Sequence, residues 1–243
     1  MLRYAPPRSL LAISDGILVC VECAGSHRSL GTHISKVRST SLDSFTADEF
    51  EWIESLGNAK SNGLWEASLP ARMRRPSAEA PACIRRIWLR HKYDEQRFTA
   101  GTEHREPLEH ESRRGWLWKR SAVLKTWRKR YFCIQDGRLL YFTTEALDDA
   151  SFRGSMPLGG TELALDEEDG CTLCLRARAA DGGTVSLLAR ADDSAAAEEW
   201  LWALYQGAAA VEHMSNADGA ELAAAPPQRK KVRRIFLRRT GVR

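Results

Sequence analysis

The feature that most restricts what this chain can fold into is a change of hydrophobic texture near its middle. Up to Phe98 the signals are helical. Thr46-Ala47-Asp48-Glu49 reads as a capping box, Phe50, Ile53 and Leu56 then share one helical face, Gly57 stops that helix, and Asn58 can cap a second one running through Trp65. After Pro81, Ile84, Ile87, Trp88 and His91 return to helical spacing. From Arg114 the pattern becomes short β-like runs with turn signals. Gly115 to Arg120 and Trp127 to Gln135 read as strands, and Asp136-Gly137 supplies a two-residue turn into Arg138 to Thr143. Asp181-Gly182-Gly183 joins Cys171 to Arg178 with Thr184 to Ala189 in the same way, and one helix, Ser194 to Gln206, presents Ala197, Trp200, Leu201 and Leu204 on a single face. Thr99 to Ser112 is polar and charged without an apolar period. A linker there divides two domains of different class.

At 243 residues the chain is long enough for two modest domains, each with its own core. No apolar run reaches the ~18 residues of a membrane span. Arg3 and Arg8 with an apolar patch are interrupted by Pro6, Pro7 and Asp15, which argues against a signal peptide. The net charge of +4 suits an anionic membrane surface and a nucleic acid equally, so only its distribution separates them. Six cysteines (Cys20, Cys23, Cys83, Cys133, Cys171 and Cys174) do not make the dense framework of a small secreted scaffold, and a reducing cytosol is the expected setting.

Cys20 and Cys23 form a Cys-x-x-Cys knuckle, the spacing with which one tight turn offers two thiolates to a tetrahedral zinc. The run that follows, Gly25-Ser26-His27-Arg28-Ser29-Leu30-Gly31-Thr32-His33-Ile34-Ser35-Lys36-Val37-Arg38-Ser39, resembles the signature of the ArfGAP family, zinc-finger activators of Arf-type small GTPases. Leu42-Asp43, Gly57-Asn58-Ala59 and Trp65-Glu66 continue the match, and Ile84 to Phe98 resembles the end of that domain. The resemblance implies that Arg28 is an arginine finger and that Cys20 and Cys23 are zinc ligands. Counting the family's spacing back from Cys20 puts the second cysteine of its other pair at position 3, where Arg3 stands, so two of the four ligands are absent. Ala5, Pro6, Ile13, Ser14 and Gly16 still follow the family pattern, which leads to the expectation that the chain begins inside the domain.

The β-rich half resembles a pleckstrin homology (PH) domain. The residues that carry this are Gly115-Trp116-Leu117-Trp118-Lys119, Trp127-Arg128-Lys129-Arg130-Tyr131-Phe132, Leu140-Tyr141-Phe142, and Trp200 in the closing helix. Alternate strand residues share a face, so Arg128 and Arg130 aim together, and Lys119 on the neighbouring strand can join them in a pocket for inositol phosphates. Tyr141 resembles the tyrosine that often completes such a pocket. The competing reading is a solvated basic edge.

Other residues have plainer readings. Arg28 could be a surface arginine paired with Glu22, and Cys20 and Cys23 a pair of buried free thiols, with His27 and His33 close enough in sequence to be recruited in principle. Cys171 and Cys174 repeat the Cys-x-x-Cys spacing, but in a strand residues three apart face opposite ways, so they read as strand residues rather than ligands. Cys83 and Cys133 read as core. Basic residues interleaved with Ile235, Phe236 and Leu237 over 229–239 suit adsorption to anionic lipid, a nucleic-acid patch or a solvated tail.

The sequence therefore predicts an α+β multidomain chain. Residues 1–98 form a small, mostly α ArfGAP-like domain of zinc-finger type, 99–112 a linker, 113–208 a PH-type β-barrel or sandwich of about seven strands capped by a C-terminal helix, and 209–243 a flexible linker and basic tail. The expected role is activation of GTP-bound Arf-type GTPases, the partner carrying out the hydrolysis, at phosphoinositide membranes. Location would be cytoplasmic and peripherally membrane-bound. The alternative is a membrane adaptor with a degenerate, inactive finger. A nucleic-acid partner is not expected, because few basic-aromatic sets lie outside the PH pattern.

Overall fold

The computed structural model describes residues 10–71, 73–101, 113–178 and 182–217. The chain divides into two compact units, Met1–Pro107 and Leu108–Arg243. The basic run 229–239, Asp181 and most of the expected linker lie outside the described residues.

In the first unit, β1 (Leu10–Ala12), β2 (Ile17–Val19) and β3 (Val37–Ser39) make a small antiparallel sheet in the order β2-β1-β3. A 3₁₀ turn, Ile13–Asp15, joins the first two strands. Helix α1 (Val21–Arg28) follows, then α2 (Ala47–Trp65), α3 (Ala82–Leu89) and a π turn over Arg90–Asp94. The capping box is present: Glu49 N–H donates to Thr46 Oγ1 at 3.2 Å and Thr46 N–H to Glu49 Oε2 at 3.1 Å. Helix α2 is kinked at Gly57, so the expected break is there, but Asn58 does not cap the second half. Its side chain instead accepts from Leu18 N–H at 2.8 Å and donates to Leu18 O at 2.9 Å. An amide on an edge strand satisfies both backbone groups of one residue, which ties α2 to β2 and blunts that edge. Ile84, Ile87 and Trp88 are buried as their spacing requires, α3 packs on α1, and Trp88 stacks on Phe98 with centroids 5.1 Å apart. Each fully buried aliphatic side chain of this kind contributes roughly 2 kcal/mol.

The second unit is a seven-stranded antiparallel sheet in the order β7-β6-β5-β4-β10-β9-β8. Its strands are β4 (Arg114–Arg120), β5 (Trp127–Gln135), β6 (Arg138–Phe142), β7 (Phe152–Pro157), β8 (Glu162–Leu165), β9 (Thr172–Arg178) and β10 (Thr184–Arg190). Asp136 and Gly137, with φ of 48° and 67°, make the tight turn that pairs Gln135 with Arg138. Two left-handed residues twist a hairpin in the sense its strands require. Helix α4 (Ser194–Ala217) begins on Asp193, whose Oδ1 accepts from Ala196 N–H at 2.7 Å. It covers one end of the sheet with Trp200, Leu201 and Leu204, and Trp200 meets Phe132 edge-on. Cys133 is buried with Phe142 and Leu147, as expected of core, whereas Cys83 is only half-buried.

Candidate functional site

Two clusters carry the chemistry, one in each unit. In the first, Arg28 is the last residue of α1 and is exposed. A cation there complements the partial negative charge of the helix C-terminus. The pairing with Glu22 is not what the carboxylate shows: hydrogen bonds from its own backbone and from Cys20, then the charge of Arg85, hold Glu22 below the usual carboxylate range. What fixes the Arg28 end of the helix is its buried neighbour. His27 is 2% exposed, and its Nδ1 lies 2.9 Å from Ser35 Oγ, which donates to Asp15 Oδ2 at 2.9 Å. Because the serine proton goes to the carboxylate, the imidazole must donate through Nδ1–H. This chain of bonds joins the helix end to the loop after it and to the 3₁₀ turn. Two further bonds repeat the staple, one between backbone groups and one to a side chain: Ile13 N–H donates to Lys36 O at 2.8 Å and Lys36 N–H to Ser14 Oγ at 3.1 Å. On the other side Tyr93 packs between His27 and Trp65, with ring centroids 5.4 and 5.2 Å away.

Ser35→Ala would strand the Asp15 carboxylate and the imidazole N–H without their shared partner. The expected cost is about 1–3 kcal/mol in urea unfolding. An unchanged midpoint would show that the bonds are not held in solution.

Burial raises the Asp15 carboxyl from 3.8 to about 6, against the Ser35 bond and the charge of Lys92. Burial, then Lys92, pushes His27 from 6.5 down to about 4. The signs oppose. Between 3.8 and about 6 the folded state holds a proton on Asp15 that the unfolded chain has lost, so this contribution falls as pH rises. His27 contributes fully above 6.5, and its contribution falls as pH drops toward about 4. Removing the carboxylate uncovers the histidine. Relative to the parent, Asp15→Asn should lose about 2 kcal/mol of stability between pH 6 and pH 4, and parallel pH profiles would contradict the raised Asp15 carboxyl.

Beside α1, a cleft of about 240 Å³ is lined by Cys20, Cys23, His27, Glu66, Arg85 and Lys92, among others. Part of its polar lining is held in bonds. Lys92 Nζ lies 2.7 Å from Glu66 Oε1 and 2.6 Å from Asn62 Oδ1, and Glu66 Oε2 is 2.7 Å from Arg75. The two thiols are not both buried: Cys20 is exposed and Cys23 half-buried, because Cys20 Sγ caps the helix and accepts from Cys23 N–H at 3.4 Å. Burial, together with Cys20, pushes the Cys23 thiol up to about 11. His27 is turned to Ser35, and among the described residues no group of three or more His, Cys, Asp or Glu is placed to hold a metal ion. Structural zinc takes four ligands. Cys20 and Cys23 are two, so the residues present do not fit a complete site.

In the second unit the register decides which basic residues meet. Lys119 pairs with Arg128, Leu117 with Arg130, and Phe132 with Tyr141. Directly opposed residues share a face, so Lys119, Arg128, Arg130 and Tyr141 all lie on the face that buries Leu117 and Phe132. Lys119 Nζ sits 5.0 Å over the Tyr141 ring. Burial, then the charge of Arg130, holds the Lys119 ammonium below its usual range, and burial raises the Tyr141 hydroxyl against the same arginine. Opposing like charges across a ladder destabilises a sheet. Such a cluster of cations can receive an anion through charge-assisted bonds. Cys174 lies in β9 opposite Leu188, with Cys171 just before the strand, and neither takes part.

The sequence reading missed Asp15 and Ser35 as partners, the Lys92–Glu66 pair, and Gly154. The last faces Tyr141 across β6 and β7, and a Cβ there would come within 2.4 Å of the tyrosine oxygen. Gly154→Ala is therefore expected to displace the Tyr141 ring and weaken anion binding by a few-fold in titration calorimetry, while an unchanged affinity would remove Tyr141 from the site.

Residues 7–102 match the ArfGap family, described as "Putative GTPase activating protein for Arf", which is of zinc-finger type, and residues 111–209 match the PH domain family. The chain is 40% identical over 89 residues to a probable ADP-ribosylation factor GTPase-activating protein of Arabidopsis thaliana, AGD15, covering 37% of this chain and 35% of that protein. It is 39% identical over 83 residues to stromal membrane-associated protein 1 of Homo sapiens, covering 34% of this chain and 17% of that one. The chain thus spans about a third or less of the length of these relatives. Among solved structures, the PH domain of human oxysterol binding protein-related protein 11 aligns with 53% of this chain and 100% of its own, at 24% identity and a TM-score of 0.38. No helix among the described residues is long and apolar enough to cross a membrane. Taken with the helical first unit and the helix-capped antiparallel sheet of the second, the matches mean that residues 7–102 belong to the ArfGap family and residues 111–209 to the PH domain family.

Proposed function

We propose that the chain activates GTP hydrolysis by an Arf-type GTPase in its GTP-bound form, supplying Arg28 in trans, and that its PH unit holds it on phosphoinositide membranes from the cytoplasmic side. The observation that carries this reading is the placement of Arg28: an exposed guanidinium at a helix end whose adjoining residue is locked by the buried His27–Ser35–Asp15 bonds. During phosphoryl transfer, negative charge spreads over the oxygens of the transferring group. A guanidinium delivered there already oriented needs no reorganisation at the moment of reaction. The chain performs no chemistry of its own; the partner GTPase does. Lys119, Arg128, Arg130 and Tyr141 would take the phosphates of an inositol headgroup through charge-assisted bonds, and confinement to a surface shared with a lipid-anchored GTPase raises the effective concentration of each for the other.

The test is hydrolysis of Arf-bound GTP on vesicles with and without phosphoinositide. Stimulation that depends on both the chain and the lipid is expected. A second reading is an adaptor that binds membranes without activating a GTPase; it takes up the finding that Cys20 and Cys23 do not make a metal-holding group of three or more among the described residues, since zinc fingers commonly lose their fold without metal. Vesicle binding with no effect on hydrolysis would establish that reading instead.

A further inference from the structure

Between α2 and α3 the stretch from Met73 to Ser77 belongs to neither helix nor strand. Pro76 has no N–H to give to a helix or a ladder, which keeps this part of the chain open. Ser77 is exposed and begins a turn in which Ala80 N–H donates to Ser77 O at 3.2 Å. Arg74 and Arg75 stand three and two residues before it, and no other serine or threonine of the chain has arginine at both places. Two guanidiniums at a fixed distance ahead of an accessible hydroxyl, outside regular structure, are complementary to a protein kinase that lines its substrate groove with carboxylates. Arg75 can be released to such a groove at little cost. It meets Glu66 Oε2 at 2.7 Å, but its own side chain is 61% exposed, and Lys92 holds the other oxygen of Glu66 at 2.7 Å. Lifting Arg75 away therefore leaves no buried carboxylate without a cation.

The turn also has a cation on its other side. Arg85 reaches back from α3, and its Nη1 donates to the Ala78 carbonyl at 2.7 Å and to that of Ala80. Its guanidinium is thus bonded one residue away from Ser77. The Arg85 Nε–H is buried and has no acceptor among the described residues. A buried donor in that state is destabilising until an acceptor reaches it. At present the Ser77 hydroxyl serves Glu79, whose carboxylate is held below its usual range first by that bond, then by its own backbone, and also by the charge of Arg85. A phosphate in place of the hydroxyl would carry about −1.5 to −2 charges and three acceptor oxygens. It would repel Glu79 and displace that carboxylate's claim on Arg85.

We propose that Ser77 is a phosphorylation site for an arginine-directed serine kinase, and that Arg85 receives the phosphate. In the transfer Ser77 Oγ attacks the γ-phosphorus of ATP. The new O–P bond forms as the bond to the β-phosphate oxygen breaks, ADP leaves with that electron pair, and the hydroxyl proton passes to a carboxylate of the kinase. Docked on Arg85, the phosphate ties the crossing segment to α3. To test this, the full chain is incubated with magnesium, ATP and the catalytic subunit of the cAMP-dependent protein kinase as an arginine-directed probe, and the product is mapped by mass spectrometry. Phosphate is expected on Ser77, with none at that position in Ser77→Ala, and transfer about tenfold slower in Arg74→Ala and in Arg75→Ala, the loss of one charge-assisted bond in each. Urea midpoints of the phosphorylated and unphosphorylated forms are then compared in the parent and in Arg85→Gln, each against its own unphosphorylated form, so that the effect of the substitution itself cancels. Phosphorylation is expected to raise the midpoint of the parent and not that of Arg85→Gln. A parent that takes no phosphate on Ser77, or takes it at the same rate without either arginine, would overturn the site. A midpoint that phosphorylation moves equally in the parent and in Arg85→Gln would overturn the docking on Arg85. Neither measurement involves a GTPase or a membrane, so their outcome is independent of the activity proposed above.

Discussion

Arg28→Lys is expected to lower the chain's stimulation of Arf-bound GTP hydrolysis by roughly 10³-fold or more, the order by which a guanidinium supplied from outside accelerates such reactions. Lysine keeps the charge but loses the planar fork that reaches two phosphoryl oxygens at once, so charge alone does not rescue the rate. Because Arg28 is exposed and the bonds that hold the helix end belong to His27, Ser35 and Asp15, the substitution should leave the unfolding midpoint unchanged. Single-turnover hydrolysis with excess activator separates the chemical step from recruitment. A variant as active as the parent would assign Arg28 to the surface and remove it from any catalytic role.

Removing either arginine of the second unit should have a comparably large effect on lipid. Arg130→Ala takes away the cation whose charge acts on both Lys119 and Tyr141, and Arg128→Ala the cation directly opposite Lys119. A hydrogen bond to a charged group contributes about 1.5–3 kcal/mol, so each variant is expected to bind phosphoinositide vesicles about ten- to a hundredfold more weakly. Neither side chain is part of the core, and relief of the cross-strand repulsion should leave the sheet as stable as before or slightly more so. Full retention of both variants on vesicles would mean that the cluster is only a solvated edge.

Much of the fold was legible because its signals are local. The Thr46–Glu49 box and the Asp136-Gly137 turn are short-range devices whose residue types announce their geometry, and the strand alternation that put Arg128 and Arg130 on one face follows from pleating alone. The buried bonds behind Arg28 were not legible. Asp15 and Ser35 are twenty residues apart in sequence, and in the linear reading Asp15 is only a charge interrupting an apolar run. Asn58 sits where a helix cap belongs, yet it serves a strand forty residues away. Gly154 matters only through the tyrosine that folding brings across from it.

The most direct test of the central claim, that Arg28 enters the nucleotide site of its partner, is the affinity of the full chain for Arf·GDP with and without aluminium fluoride. That anion completes a mimic of the transferring phosphoryl group, and a residue that acts in the transition state should bind the mimic far more tightly than the ground state. The expected result is a complex that tightens by a hundredfold or so when fluoride is added, and that loses this dependence in Arg28→Lys while keeping the basal affinity. Equal affinity of the parent chain with and without the anion would contradict the claim.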